Sequence, residues 1–158
     1  MNKLFIMLVL FTTTFFQTSN AQQDSTTAKP APLISAYYNL KDALVSSNAI
    51  VAAASAEALV KAIKEAGKET VNENTSTILL NDAVAISQSK DIKLQREKFA
   101  TLSANMVELA KKIKLSAQPV YEQYCPMKKA SWLSYDKAIK NPYYGNAMLT
   151  CGSVKATL

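Results

Sequence analysis

Between Leu33 and Ile113, apolar residues return every three or four positions and are broken only by short polar stretches, which confines this part of the chain to amphipathic helices. Leu33, Ile34, Tyr37, Leu40 and Leu44 line one face of a first helix, and Ser46-Ser47-Asn48 stops it and starts the next. The second is expected from about Ala49 to Ala66, with Ala52, Ala56, Leu59, Ile63 and Ala66 on one face and Gly67 as a C-cap. Lys68–Asn74 reads as a connection, after which Asn74 or Thr75 caps a third helix carrying Ile78, Leu79, Ala83 and Ile86 and ending near Ser87. Asp91 caps the fourth. In it Ile92, Phe99, Leu102, Met106, Leu109 and Ile113 face one way, while Lys98, Glu108, Lys111 and Lys112 face the other. Four such helices with short connections predict an antiparallel up-down four-helix bundle over residues 33–115, hence an all-α protein. Phe99 and Met106 sit on the apolar stripe, so they are read as core and not as a pocket wall.

What precedes the bundle is of another kind. Met1-Asn2-Lys3 is a basic head, Leu4–Phe11 an unbroken apolar run, and Ser19-Asn20-Ala21 supplies the small residues that a signal peptidase reads, so residues 1–21 are expected to be a signal peptide. The apolar run is too short for a stable membrane anchor, and export to the periplasm is the expectation. Gln22–Pro32 is polar and rich in Ser, Thr and Pro, the composition of a disordered leader. Residues 33–158 are then a single domain. The formal charge of +6 is carried mostly by helix-face lysines such as Lys61, Lys64, Lys68 and Lys114, without the aromatic-studded basic stripe of a nucleic-acid surface.

The composition also narrows the chemistry. A chain without histidine has no haem attachment through Cys-x-x-Cys-His, no Glu-x-x-His di-iron site, no histidine-based zinc site and no Ser-His or Cys-His nucleophile. Three glycines, at 67, 145 and 152, cannot build a phosphate-cradling loop. An enzyme is therefore not expected.

Distinctive chemistry is concentrated in Tyr121–Gly152, within a C-terminal segment, residues 116–158, expected to be irregular. That stretch holds both cysteines, the single tryptophan and five of the seven tyrosines. Val120–Cys125 reads as a short extended piece before Pro126 bends the chain, Asn141-Pro142-Tyr143-Tyr144-Gly145 as a turn, and Asn146–Thr150 as one helical turn that brings Met148 and Cys151 to the same side. Two readings of the sulfurs stay open. Cys125, Met127, Met148 and Cys151 form a soft donor set that suits Cu(I) or Ag(I), with Trp132, Tyr124, Tyr143 and Tyr144 walling it from water. Alternatively, in an oxidising compartment Cys125 and Cys151 pair as a disulfide closing a loop of 26 positions, worth roughly 3–4 kcal/mol on a chain-entropy estimate.

The order Tyr-x-x-Tyr-Cys-Pro-Met from Tyr121, Ala-x-Trp-Leu-Ser from Ala130, and Ile-x-Asn-Pro-Tyr-Tyr-Gly-x-x-Met-Leu-x-Cys-Gly from Ile139 resembles an uncharacterised exported helical domain family of Gram-negative bacteria. The resemblance extends over Ala36–Val154, and Tyr38–Val45 is similar to the family's opening helix. Related domains occur attached to periplasmic adaptors of copper and silver efflux pumps of the resistance-nodulation type. What this implies is heavy-metal handling: a periplasmic Cu(I) or Ag(I) chaperone or buffer feeding an efflux system, with an adaptor or metal donor as partner. The alternative of another class is a disulfide-stapled helical interaction module of an efflux or envelope complex that carries no metal.

Overall fold

The computed structural model describes residues 31–158. The expected signal peptide and nearly all of the expected leader lie outside the described residues. Helix α1 (Pro32–Val45) starts with proline in its first turn, where the missing N–H costs nothing. It ends in a Schellman arrangement, with Ser47 N–H donating to Leu44 O, Asn48 N–H to Ala43 O, and Ser47 itself at φ +57°. Asn48 then caps α2 (Ala49–Glu65) by accepting from Val51 N–H at 3.0 Å. Gly67, at φ +71°, follows α2 as anticipated and opens a single helical turn, α3 (Gly67–Thr70). The cap of α4 (Glu73–Ser87) is Asn72, two residues earlier than the sequence suggested, and Asp91 caps α5 (Ile92–Lys112) through Lys93 N–H at 2.8 Å.

The long helices pack in series, α1 on α2, α2 on α4 and α4 on α5. Their alanine and leucine stripes supply the core: Ala52, Ala56, Leu59, Leu79, Ala83, Ile86, Phe99, Leu102 and Met106 are all fully buried. Gln95, also buried, ties one end together by donating from Nε2 to Ala49 O at 2.9 Å and to Ser89 O at 2.7 Å.

The all-α expectation is wrong at the C-terminus. Residues 121–157 contain a three-stranded antiparallel sheet in the order β2-β1-β3, made of β1 (Tyr121–Cys125), β2 (Ala130–Ser134) and β3 (Ser153–Thr157). The described residues form a mixed helix and sheet fold, with four long α-helices and one short one, α5 giving a further face to β2. The physical reason is that β2 and β3 lack the alternation that marks a strand: β2 is buried over its last three residues in a row and β3 is almost wholly exposed. Only β1 was foreseen as extended. The β3 partner follows Gly152 and has almost no buried side chain, so hydrophobic pattern carried no sign of it.

The loop between β2 and β3 is fastened to the bundle by Arg96 on α5. Its Nε donates to Pro142 O and one Nη donates to Leu44 O and to Ser47 Oγ, all at 2.8–2.9 Å, which also places a cation on the carbonyl end of α1. Gly145 lies against this junction at φ +54°. A Cβ there would stand 2.5 Å from Ser47 Oγ, 2.6 Å from Arg96 Nη2 and 2.8 Å from Val45 O. Gly145→Ala should therefore destabilise the fold by about 2–3 kcal/mol, read from urea unfolding. At Gly67 the backbone is similarly left-handed but nothing lies within 4 Å of a Cβ. Gly67→Ala should cost only about 1 kcal/mol, and equal losses for the two variants would refute the close-approach account.

Candidate functional site

The antiparallel pairing of β1 with β3 puts Tyr124 opposite Ser153, so Cys125 at the end of β1 meets Cys151 just ahead of β3. Their sulfurs are 3.6 Å apart and both thiols are free. Cys125 is buried and Cys151 half-buried, at the margin of the sheet. The structure thus unites the two cysteines proposed from the sequence. Met127, on the four-residue turn between β1 and β2, is 62 % exposed, and Met148 is 39 % exposed. Both thioethers lie at the surface. In place of the single helical turn expected over Asn146–Thr150, a 3-10 helix over Gly145–Ala147 ends at Met148 and a separate turn follows, closed by Cys151 N–H donating to Met148 O at 3.1 Å.

Hydrogen-bond donors converge on Cys125. Burial alone pushes its thiol up, but Lys128 N–H at 3.4 Å, the Asn141 side chain, the Cys151 thiol and Met127 N–H together outweigh that and hold it below the ordinary thiol value. The Cys151 thiol moves the other way, because it donates to Cys125 and would have to ionise beside a sulfur that is already the better anion. Of the two thiols, Cys125 is thus the easier to ionise, its sulfur receiving N–H groups and facing the Cys151 thiol.

Asn141 was read only as part of a turn, yet it organises this loop. Fully buried, it donates from Nδ2 to Cys151 O at 2.7 Å, accepts from Tyr143 N–H at Oδ1 at 2.8 Å, and through its backbone joins Leu149 and Gly145. The one signal in the sequence is its position before proline, which favours an extended conformation and a side chain bonded two residues ahead.

The aromatic residues divide. Trp132 is fully buried behind the sulfur loop, so close to Gly152 that a Cβ there would lie 2.9 Å from its ring. Tyr143 packs between Trp132 and Phe99, with centroids 5.9 Å from each, and donates to Ser131 O at 2.6 Å. Tyr143 is consequently a core residue that docks the loop on the bundle. Tyr124 is half-buried with Lys155 Nζ 5.9 Å from its ring centre, and Tyr144 is half-buried at the start of the 3-10 turn. Among the described residues no group of three or more His, Cys, Asp and Glu side chains is placed to hold a metal, so any ion here would rely on the two thiols and on donors outside those types.

As pH rises, one thiol of the reduced pair should ionise below the ordinary range and the other above it, visible as two steps in thiolate absorbance. Alkylation should follow the first step. Asn141→Ala should move that step upward while leaving the helices intact; a single unshifted step for two equivalent thiols would contradict the hydrogen-bond account.

No curated protein and no solved structure matches the chain. Among the described residues, no helix is long and apolar enough to cross a membrane. A family model described as a protein of unknown function matches residues 33–118, which runs from the second residue of α1 past the end of α5 and stops just before β1, leaving the sulfur pair outside the match. On a match over more than half its length, the chain belongs to this family of unknown function, DUF3347.

Proposed function

We propose that this protein binds a soft monovalent ion, Cu(I) or Ag(I), between Cys125 and Cys151, with Met127 and Met148 as additional donors. In this reading it serves in the periplasm as a chaperone or buffer that feeds an efflux system. The observation that carries the reading is the reduced pair itself, two sulfurs 3.6 Å apart with one thiol held below its ordinary value. With metal–thiolate bonds of about 2.3 Å, that separation corresponds to a sulfur–metal–sulfur angle of about 100°. Such an angle leaves room for one or two further ligands. Thioethers on flexible, exposed side chains suit that place, and a sulfur-only set without imidazole selects soft ions. No catalytic role belongs to this reading.

Both thiols give up a proton to ligate, Cys125 more readily than Cys151, because the first lies below its ordinary value and the second above it. Binding therefore releases protons and weakens as pH falls. Expected partners are a periplasmic efflux adaptor or another metal donor or acceptor, in line with the resemblance of the cysteine motif to domains attached to such adaptors.

The second reading is a disulfide-stapled interaction module. It is favoured by the same geometry, because closing 3.6 Å to the roughly 2.05 Å of a disulfide asks only for a small shift of adjacent antiparallel strands. The two part in an anaerobic titration of reduced protein with Cu(I) against a chromogenic chelator. The metal reading expects one ion per chain, loss of uptake in Cys125→Ser and Cys151→Ser, and affinity lowered by about 10-fold or more in Met127→Leu and Met148→Leu. Absence of uptake by the reduced protein, with stability that rises on oxidation, leaves the stapled module.

A further inference from the structure

A groove of about 510 Å³ runs between one face of α5 and the sheet, and it shares Lys128 and Lys129 with the turn that follows Cys125. Its electrostatics are lopsided. Glu122 on β1, 2 % exposed, accepts from Ser131 Oγ at 3.0 Å and lies 3.3 Å from Lys155 Nζ and 3.5 Å from Lys111 Nζ. Burial pushes this carboxyl up, and Ser131 with the two ammonium groups more than reverses that, so it stays ionised. Lys111 also meets Glu108 at 3.0 Å. Lys128 and Lys129 form no ion pair among the described residues. Four lysines thus line a groove that holds two glutamates, and the unmatched positive charge is carried on the turn that follows Cys125.

The shape matches a chain better than a small anion. Ala100, Ala104 and Val107 lie along the α5 wall, which from Ala100 to Lys111 is about 16 Å long at about 1.5 Å per residue. That accommodates about five residues of extended peptide at about 3.3 Å each. The small side chains let a backbone approach closely, and the lysines stand where its carboxylates would pair.

We infer that this groove is the docking surface for an extended acidic segment of the protein that exchanges metal with the Cys125–Cys151 pair. The exchange partner rests on the metal reading above; the docking of an acidic chain does not. A segment seated there touches the turn whose Lys128 N–H holds the Cys125 sulfur, so partner and ion meet at one place. Charge complementarity of this sort acts mainly on encounter rate and specificity and is screened by salt.

The test is fluorescence anisotropy of a labelled Glu-Ala peptide with the full chain, alongside sedimentation with phosphatidylglycerol vesicles. The peptide should bind at low salt and weaken as ionic strength approaches about 0.15 M. Lys128→Glu with Lys129→Glu should lower affinity by about 10-fold, while Lys64→Glu with Lys93→Glu, an equal charge change elsewhere, should lower it by less than about twofold. Equal losses in the two double variants would overturn the inference, as would vesicle binding through the same lysines without peptide binding, or no peptide binding at all. Peptide affinity should persist in Cys125→Ser/Cys151→Ser. A chain that takes up no Cu(I) yet keeps lysine-dependent peptide binding supports the docking surface while removing its metal role, so the two proposals fail separately.

Discussion

Tyr37 joins the two halves of the molecule. It is fully buried on α1, its hydroxyl hydrogen-bonds the Ser103 hydroxyl on α5 and accepts from Leu133 N–H on β2 at 3.0 Å, and its ring stacks on Phe99 at 5.5 Å. A buried phenol left unpaired would cost about 1–3 kcal/mol, so this hydroxyl adds direction to the position of β2 against the helices, beside the burial of Trp132 and Leu133. Burial pushes the phenol well above the ordinary tyrosine range and keeps it protonated at any physiological pH. On β2, Trp132 and Leu133 are buried in the core, and β1 and beyond it β3 lie on the side of the sheet away from β2.

The sulfur pair depends on that arrangement of strands. Cys125 arrives on β1 by pairing with β2, Cys125 lying opposite Ala130. Cys151 arrives through a loop that has little regular structure and is therefore held by side chains: Gln123 donates to Asp136 O at 2.8 Å, Arg96 to Pro142 O, Asn141 to Cys151 O, and Tyr143 fills the space between Trp132 and Phe99. Each of these is a long-range contact from a polar or aromatic residue to a backbone carbonyl or ring. An irregular loop can hold two thiols at 3.6 Å only if its own carbonyl groups are satisfied in this way.

This division explains which parts of the protein were legible beforehand. Helices α2 and α5 and their caps, Asn48 and Asp91, follow from period and local hydrogen bonding, and both are present. The two-residue error at the start of α4 arose because Asn72, Asn74 and Thr75 are all competent caps, and the choice falls on Asn72, whose Oδ1 accepts from Thr75 N–H. The sheet was not legible because strand pairing is a tertiary property: Ser153–Thr157 has no pattern of its own and becomes a strand only beside β1. Cys125 and Cys151 were singled out by residue type and are adjacent in space, whereas Arg96 and Glu122 matter through partners distant in sequence and gave no local sign, and Asn141 gave only its place before a proline. Tyr143, singled out for its aromatic character, is buried in the core between Trp132 and Phe99.

The exposed state of β3 gives the sulfur pair mechanical leverage over the sheet. Ser153, Val154, Lys155 and Thr157 are exposed and Ala156 is half-buried, so side-chain burial contributes little to holding this strand. What remains is its ladder to β1, the paired backbone bonds between Leu158 and Val120 at its far end, the ion pair of Lys155 with Glu122, and the hydrogen-bonded sulfurs at its near end. Surface ion pairs and edge ladders are individually weak, about 0.5–1.5 kcal/mol per bond, whereas a covalent or metal link at the near end would turn detachment of the strand into the opening of a closed ring. The oxidation or ligation state of Cys125 and Cys151 is therefore coupled by geometry to how firmly β3 covers the open side of β1, even though neither cysteine lies within β3 itself.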